Sequence, residues 1–143
     1  MPRRRTLYGR RQGPKLRPGR KRLLDECLPA LELRLEPGTV LEPATLFAGT
    51  AREVWLEIGF GGGEHLLEQA RRNPQALLIG CEPYEDGVIK VLTAIENDGR
   101  KNIRVHMGDV RDVLRQLAPS SLDRAFVLFP DPWPKRKHRK RRL

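Results

Sequence analysis

The chain has 143 residues, 28 Lys and Arg against 18 Asp and Glu, and a formal net charge of +10. That length allows one domain with a short extension. It holds no apolar run of the roughly 20 residues that span a bilayer, and its two distant cysteines, Cys27 and Cys81, support neither a disulfide framework nor a metal centre.

The charge is uneven. Basic residues crowd the ends, from Arg3 to Arg22 and from Lys135 to Arg142, and the segment between them is net acidic. Such a pattern points to a polyanionic partner met at the ends. The basic N-terminus has no apolar stretch like that of a signal peptide, and its prolines and glycines interrupt a presequence helix, so a cytoplasmic location is expected.

Residues 1–50 form a basic extension. Residues 1–19 are rich in proline, glycine and arginine and read as disordered without a partner. Leu23, Leu24, Cys27 and Leu28 recur at helical spacing and predict one short helix stopped near Pro29. Leu31, Leu33 and Leu35 alternate before Pro37-Gly38 turns the chain.

From residue 51 the rhythm becomes regular. Val54, Trp55, Leu56 and Ile58 predict a buried strand, followed by Gly59, Gly61, Gly62 and Gly63 and then a helix from about Gly63 to Arg72, stopped at Asn73-Pro74. Ala76 to Cys81 is a second strand, ending at Glu82. Val88, Val91, Leu92 and Ile95 mark a helix ended by Asn97-Asp98-Gly99. Ile103 to Met107 is a third strand closed by Gly108-Asp109. Val110, Val113, Leu114 and Leu117 give another helix, and Ala125 to Phe129 a fourth strand running into Pro130-Asp131-Pro132-Trp133-Pro134. Strands alternating with amphipathic helices over 51–143 predict an α/β fold around a mostly parallel sheet with right-handed crossovers.

The glycine loop narrows the reading. A G-x-G-x-x-G dinucleotide fingerprint fails, because its last glycine would fall on Glu64 or Leu66. The sequence instead fits E-x-G-x-G-x-G, from Glu57 through Gly59 and Gly61 to Gly63, the form usual in S-adenosylmethionine (SAM) methyltransferases. A pyrophosphate would be repelled by Glu57, whereas the ammonium and sulfonium of SAM would not. Glu82, about twenty residues after the loop, suits ribose hydroxyls, and Asp109 suits an adenine amino group. Glu57, Glu82, Asp109 and Asp131 all stand near the C-terminal ends of strands, where open α/β sheets bind ligands.

The last segment is the most distinctive. Asp131 is held between two prolines, Trp133 offers a face for a base, and Lys135 to Arg142 supplies cations for phosphates. Phe129-Pro130-Asp131-Pro132-Trp133-Pro134-Lys135, continuing to His138 and Lys140-Arg141-Arg142, together with Glu57-Ile58-Gly59-Phe60-Gly61-Gly62-Gly63-Glu64, resembles the bacterial tRNA (guanine-N7-)-methyltransferases. The resemblance runs from about Leu7 to Leu143.

It implies a Rossmann-like SAM-dependent methyltransferase fold, truncated after the fourth parallel strand, and formation of N7-methylguanosine in the variable loop of tRNA. Glu57, Gly59, Gly61, Gly63, Glu82, Asp109 and Asp131 would bind SAM, and Asp131 would also be catalytic. Lys135, Lys137, His138, Arg139, Lys140, Arg141 and Arg142 would bind substrate and RNA, and no metal is implied. The family has arginine where Lys137 stands, which keeps charge and loses a planar fork. The family also continues beyond this point, with another substrate-binding aspartate and a Thr-x-x-Glu motif, so the fourth strand is expected to be an exposed apolar edge. Two further readings are a SAM- and RNA-binding fragment without turnover, and a methyltransferase acting on an exocyclic amine of a base. An NAD oxidoreductase ranks last because the glycine spacing is wrong.

Overall fold

The computed structural model describes Lys15 and residues 17–47, 51–128 and 136–137. The expected disorder of the first residues, the end of the fourth strand at Phe129, and the roles of Asp131, Lys135, His138, Arg139, Lys140, Arg141 and Arg142 concern positions outside the described residues.

Four parallel strands, β1 (Glu53–Ile58), β2 (Ala76–Cys81), β3 (Ile103–His106) and β4 (Arg124–Phe126), form one sheet in the order β3-β2-β1-β4. This is a Rossmann-like α/β arrangement. The order reverses between β1 and β4, which makes the C-terminal ends of those strands a topological switch point. The register aligns Leu56 with Ile79, and Glu57 with both Gly80 and Phe126.

Alternation along the strands supplies two cores, one on each face. Trp55, Leu78, Ile103 and Val105 face one side, under α3 (Glu64–Arg72) and α4 (Glu85–Asp98). Val54, Leu56, Leu77, Ile79 and Cys81 face the other, under α5 (Val110–Gln116). The helices end as their sequences require. Gly99 takes the left-handed conformation at φ +70° and closes α4 by donating to Ile95.

The helix expected to stop near Pro29 passes the proline and ends at Leu31, with Glu32 extended. The chain is helical from α1 (Pro18–Arg22) through a π-helical turn (Leu23–Cys27) to α2 (Leu28–Leu31). Leu28 N–H donates to Leu23 C=O across that widened turn. The extra residue relieves the register in which a proline ring collides with the preceding turn. The helical segment lies on α4: Leu23 and Leu28 enter the same core cluster, and Arg22 donates to Glu96 at 3.0 Å. Leu33 then donates to Val105 at 3.0 Å along the outer border of β3.

β4 differs from expectation in length. It covers three residues, and Val127 and Leu128 beyond it are 41% and 44% exposed. Asp123 fixes its start, accepting from Val54 N–H at 2.8 Å while its own N–H donates to Val54 C=O. No helix of the described residues is long and apolar enough to cross a membrane.

Candidate functional site

The site is built where β1 runs into α3. Gly59 N–H still donates to Cys81 C=O at 2.8 Å, so the loop leaves the sheet only after β1 is locked to β2. Gly59 and Gly61 then take φ of +66° and +59°, conformations strained for any L side chain, and a Cβ at either would meet nothing within 4 Å. The backbone is therefore bare, with open space beside it.

What lies under the loop is packed tightly. Gly80 has no Cβ because one would stand 2.6 Å from Leu66 and 2.7 Å from Phe60, so this glycine lets the loop aromatic sit on β2. A Cβ on Gly87 would fall 1.9 Å from the carbonyl oxygen of Gly61. The first turn of α4 thus touches the glycine loop backbone to backbone. The sequence reading missed Gly87, although a glycine within an amphipathic helix costs about 1 kcal/mol against alanine and so asks for a packing reason.

Glu57, the first acid of the E-x-G-x-G-x-G pattern, is 3% exposed. His65 Nδ1 hydrogen-bonds to its Oε1, and the imidazole stands edge-on to Phe126 of β4 with ring centroids 4.9 Å apart. Burial pushes the Glu57 carboxyl above the usual carboxylate range; His65 opposes the shift and the Glu64 carboxylate adds to it. His65 was the second omission. Its imidazole reaches Glu57 only because the loop brings the first turn of α3 back over the end of β1.

Glu82 holds the loop from the other side. Its Oε2 accepts from Gly61 N–H at 2.9 Å and its Oε1 from Tyr84 N–H at 3.2 Å. Glu57 and Glu82 therefore both grip the segment that carries the glycines, one through His65 and one through Gly61. Cys81, just before Glu82, is buried, and burial lifts its thiol to about 12.

Asp109 follows β3 and caps α5, accepting from Arg111 N–H at 2.9 Å. The Arg111 guanidinium closes on the same carboxylate, with Nε at 2.8 Å from Oδ2. This aspartate is thus held by the first turn of α5. The capping role was legible, since an aspartate directly before an amphipathic run is a preferred N-cap. Lys137, beside Arg136, is exposed. Among the described residues no group of three or more His, Cys, Asp or Glu is arranged to hold a metal ion.

The sequence profile of a family described as "Putative methyltransferase" matches residues 51–143. Three curated relatives carry the name tRNA (guanine-N(7)-)-methyltransferase. That of Zymomonas mobilis is 51% identical over 97% of this chain and 59% of its own length. That of Rhodospirillum rubrum is 52% identical over 96% and 55%, respectively. That of Ruegeria sp. (strain TM1040) is 48% identical over 97% and 56%. The chain thus spans little more than half the length of these relatives.

Proposed function

The chain belongs to this methyltransferase family, and from that premise we propose that it uses SAM to methylate N7 of a guanine in tRNA, as the N-terminal portion of such an enzyme. One observation carries the reading: about half of the residues are identical, over nearly the whole chain, to relatives named for that reaction. A cytoplasmic location follows from a tRNA substrate.

The residues fit the donor. The bare, left-handed backbone at Gly59 and Gly61 leaves room where side chains would intrude. A carboxylate beside such a loop suits a cation and disfavours a pyrophosphate. Glu57 would take the ammonium of SAM and Glu82 its ribose hydroxyls; carboxylate oxygens that already accept an N–H retain lone pairs for more. Asp109 would meet the adenine amino group while it caps α5.

When bound, SAM supplies an electrophilic methyl group on a sulfonium. Guanine N7 carries a free lone pair, so no side chain has to remove a proton before attack. The protein's task is to hold N7 in line with that methyl. As the purine gains positive charge, a fixed carboxylate beside it lowers the barrier. Asp131 takes this role and orients the guanine by accepting its ring and amino hydrogens. Lys135 contacts the substrate, and Lys137, His138, Arg139, Lys140, Arg141 and Arg142 hold tRNA phosphates.

The test is transfer of a labelled methyl group from SAM to unmodified tRNA, followed by nucleoside analysis. N7-methylguanosine upholds the reading, and a base methylated on an exocyclic amine replaces it. One observation favours a second reading, binding without turnover: Val127 and Leu128, directly after β4, are exposed. Donor binding by calorimetry with no transfer in the same preparation would select that alternative.

A further inference from the structure

We infer that His65 is a positioning residue of the donor pocket: its imidazole fixes the Glu57 carboxylate, as an anion and in one orientation, for the ammonium of the methyl donor. This deepens the reading of the pocket given above and rests on it. The geometry is specific. Glu57 is 3% exposed, and its Oε1 meets His65 Nδ1 directly. An ionised carboxylate only accepts, so His65 Nδ1–H donates. The imidazole is held in turn by Phe126, edge-on at 4.9 Å, so its plane is set by β4. One side chain on α3 therefore ties the end of β1, where the donor binds, to the strand that leads toward Asp131.

The need for such a residue follows from burial. A carboxylate so far out of water drifts toward its neutral acid, and a neutral acid holds a cation poorly. Burial is the larger influence on Glu57 and raises its titration. Among the described residues the surroundings offer little else to counter it. From α3 come His65 and the Glu64 carboxylate, which opposes ionisation. From β2 the facing residue is Gly80, and from β4 it is Phe126, neither of which titrates. His65 is the group among these that favours the anion.

The sign follows directly. With a raised midpoint, Glu57 takes up its proton at higher pH than an ordinary glutamate. Donor affinity is then lost earlier on acidification, and earlier still without His65.

The experiment is calorimetric titration of the full chain with SAM at pH 6 and pH 8, for wild type, His65→Phe and His65→Gln, with circular dichroism to check folding. His65→Phe keeps a ring against Phe126 and loses the N–H; His65→Gln keeps a donor and loses the ring. The expected result is roughly tenfold weaker binding for His65→Phe at pH 8 and a larger loss at pH 6, with His65→Gln closer to wild type. The reverse pattern, with His65→Phe like wild type, would reduce His65 to packing and overturn the inference.

If the wild-type chain binds no donor, the reading of the pocket fails, and the pairing is judged on the Glu57 carboxyl carbon. That signal is followed by carbon-13 NMR and assigned by its loss in Glu57→Gln. A midpoint raised in His65→Phe and restored toward wild type in His65→Gln upholds the pairing; an unmoved midpoint overturns it.

Discussion

Strands β2 and β4 both lie in or lead into apolar runs, Ala76 to Cys81 and Ala125 to Leu128, and end in opposite circumstances. Ala76-Leu77-Leu78-Ile79-Gly80-Cys81 is buried at all six positions, whereas the three residues of β4 are exposed or half-buried. The difference lies in neighbours. β2 has β1 on one border, β3 on the other and helices over both faces; among the described residues β4 has β1 alone as a strand neighbour. Apolar composition makes a segment able to be buried, but flanking strands and covering helices decide whether it is. The candidate site sits where the two regimes meet, with packed backbone under the glycine loop and an open border beside it.

The contrast can be tested, from the largest effect down. Ile79→Ala empties a site with 0% exposure and should cost about 2–5 kcal/mol, read as a lower denaturant midpoint. A smaller loss would mean that the second core collapses into the gap. Asp131→Asn, at the position proposed to be catalytic, should cut turnover by roughly two to three orders of magnitude. Its SAM affinity should fall far less, and equal loss of both would remove its catalytic role.

Gly87→Ala puts a methyl group where the Gly61 carbonyl stands. It should push the loop off α4, cost about 1–3 kcal/mol and weaken SAM binding, measured by denaturation and calorimetry together. Val127→Lys with Leu128→Lys should change stability by no more than about 0.5 kcal/mol. A large loss there would show that β4 is covered in solution and would undo the contrast.

Much of the fold was legible because each element declares its period. The runs that became α3, α4 and α5 carry apolar residues three and four apart, and Asn97-Asp98-Gly99 announced the end of α4. The helix near Pro29 ends just past the proline, at Leu31: the rule that proline ends a helix assumes an α-helical register, and the turn before it is π-helical. The end of β4 was misread because Val127 and Leu128 look like core residues, and exposure depends on neighbours that periodicity does not reveal. In the site, the spacing of Glu57, Gly59, Gly61 and Gly63 was visible in the chain itself. The Glu57–His65 pair and the contact of Gly87 with Gly61 were not, since both arise from two segments meeting in space. Asp109 stood in between: its place after β3 was plain, but its ion pair with Arg111 emerges only once α5 turns.

One border of the sheet is already obstructed. The segment after α2 runs along β3, with Leu33 donating to Val105 and Glu32 bridged to it in parallel, while the Arg104 guanidinium donates to Leu46 C=O. A strand arriving on that flank would have to displace this segment at Val105 before it could pair there. Edge-to-edge pairing through β3 is thereby made costlier than it would be along a bare strand.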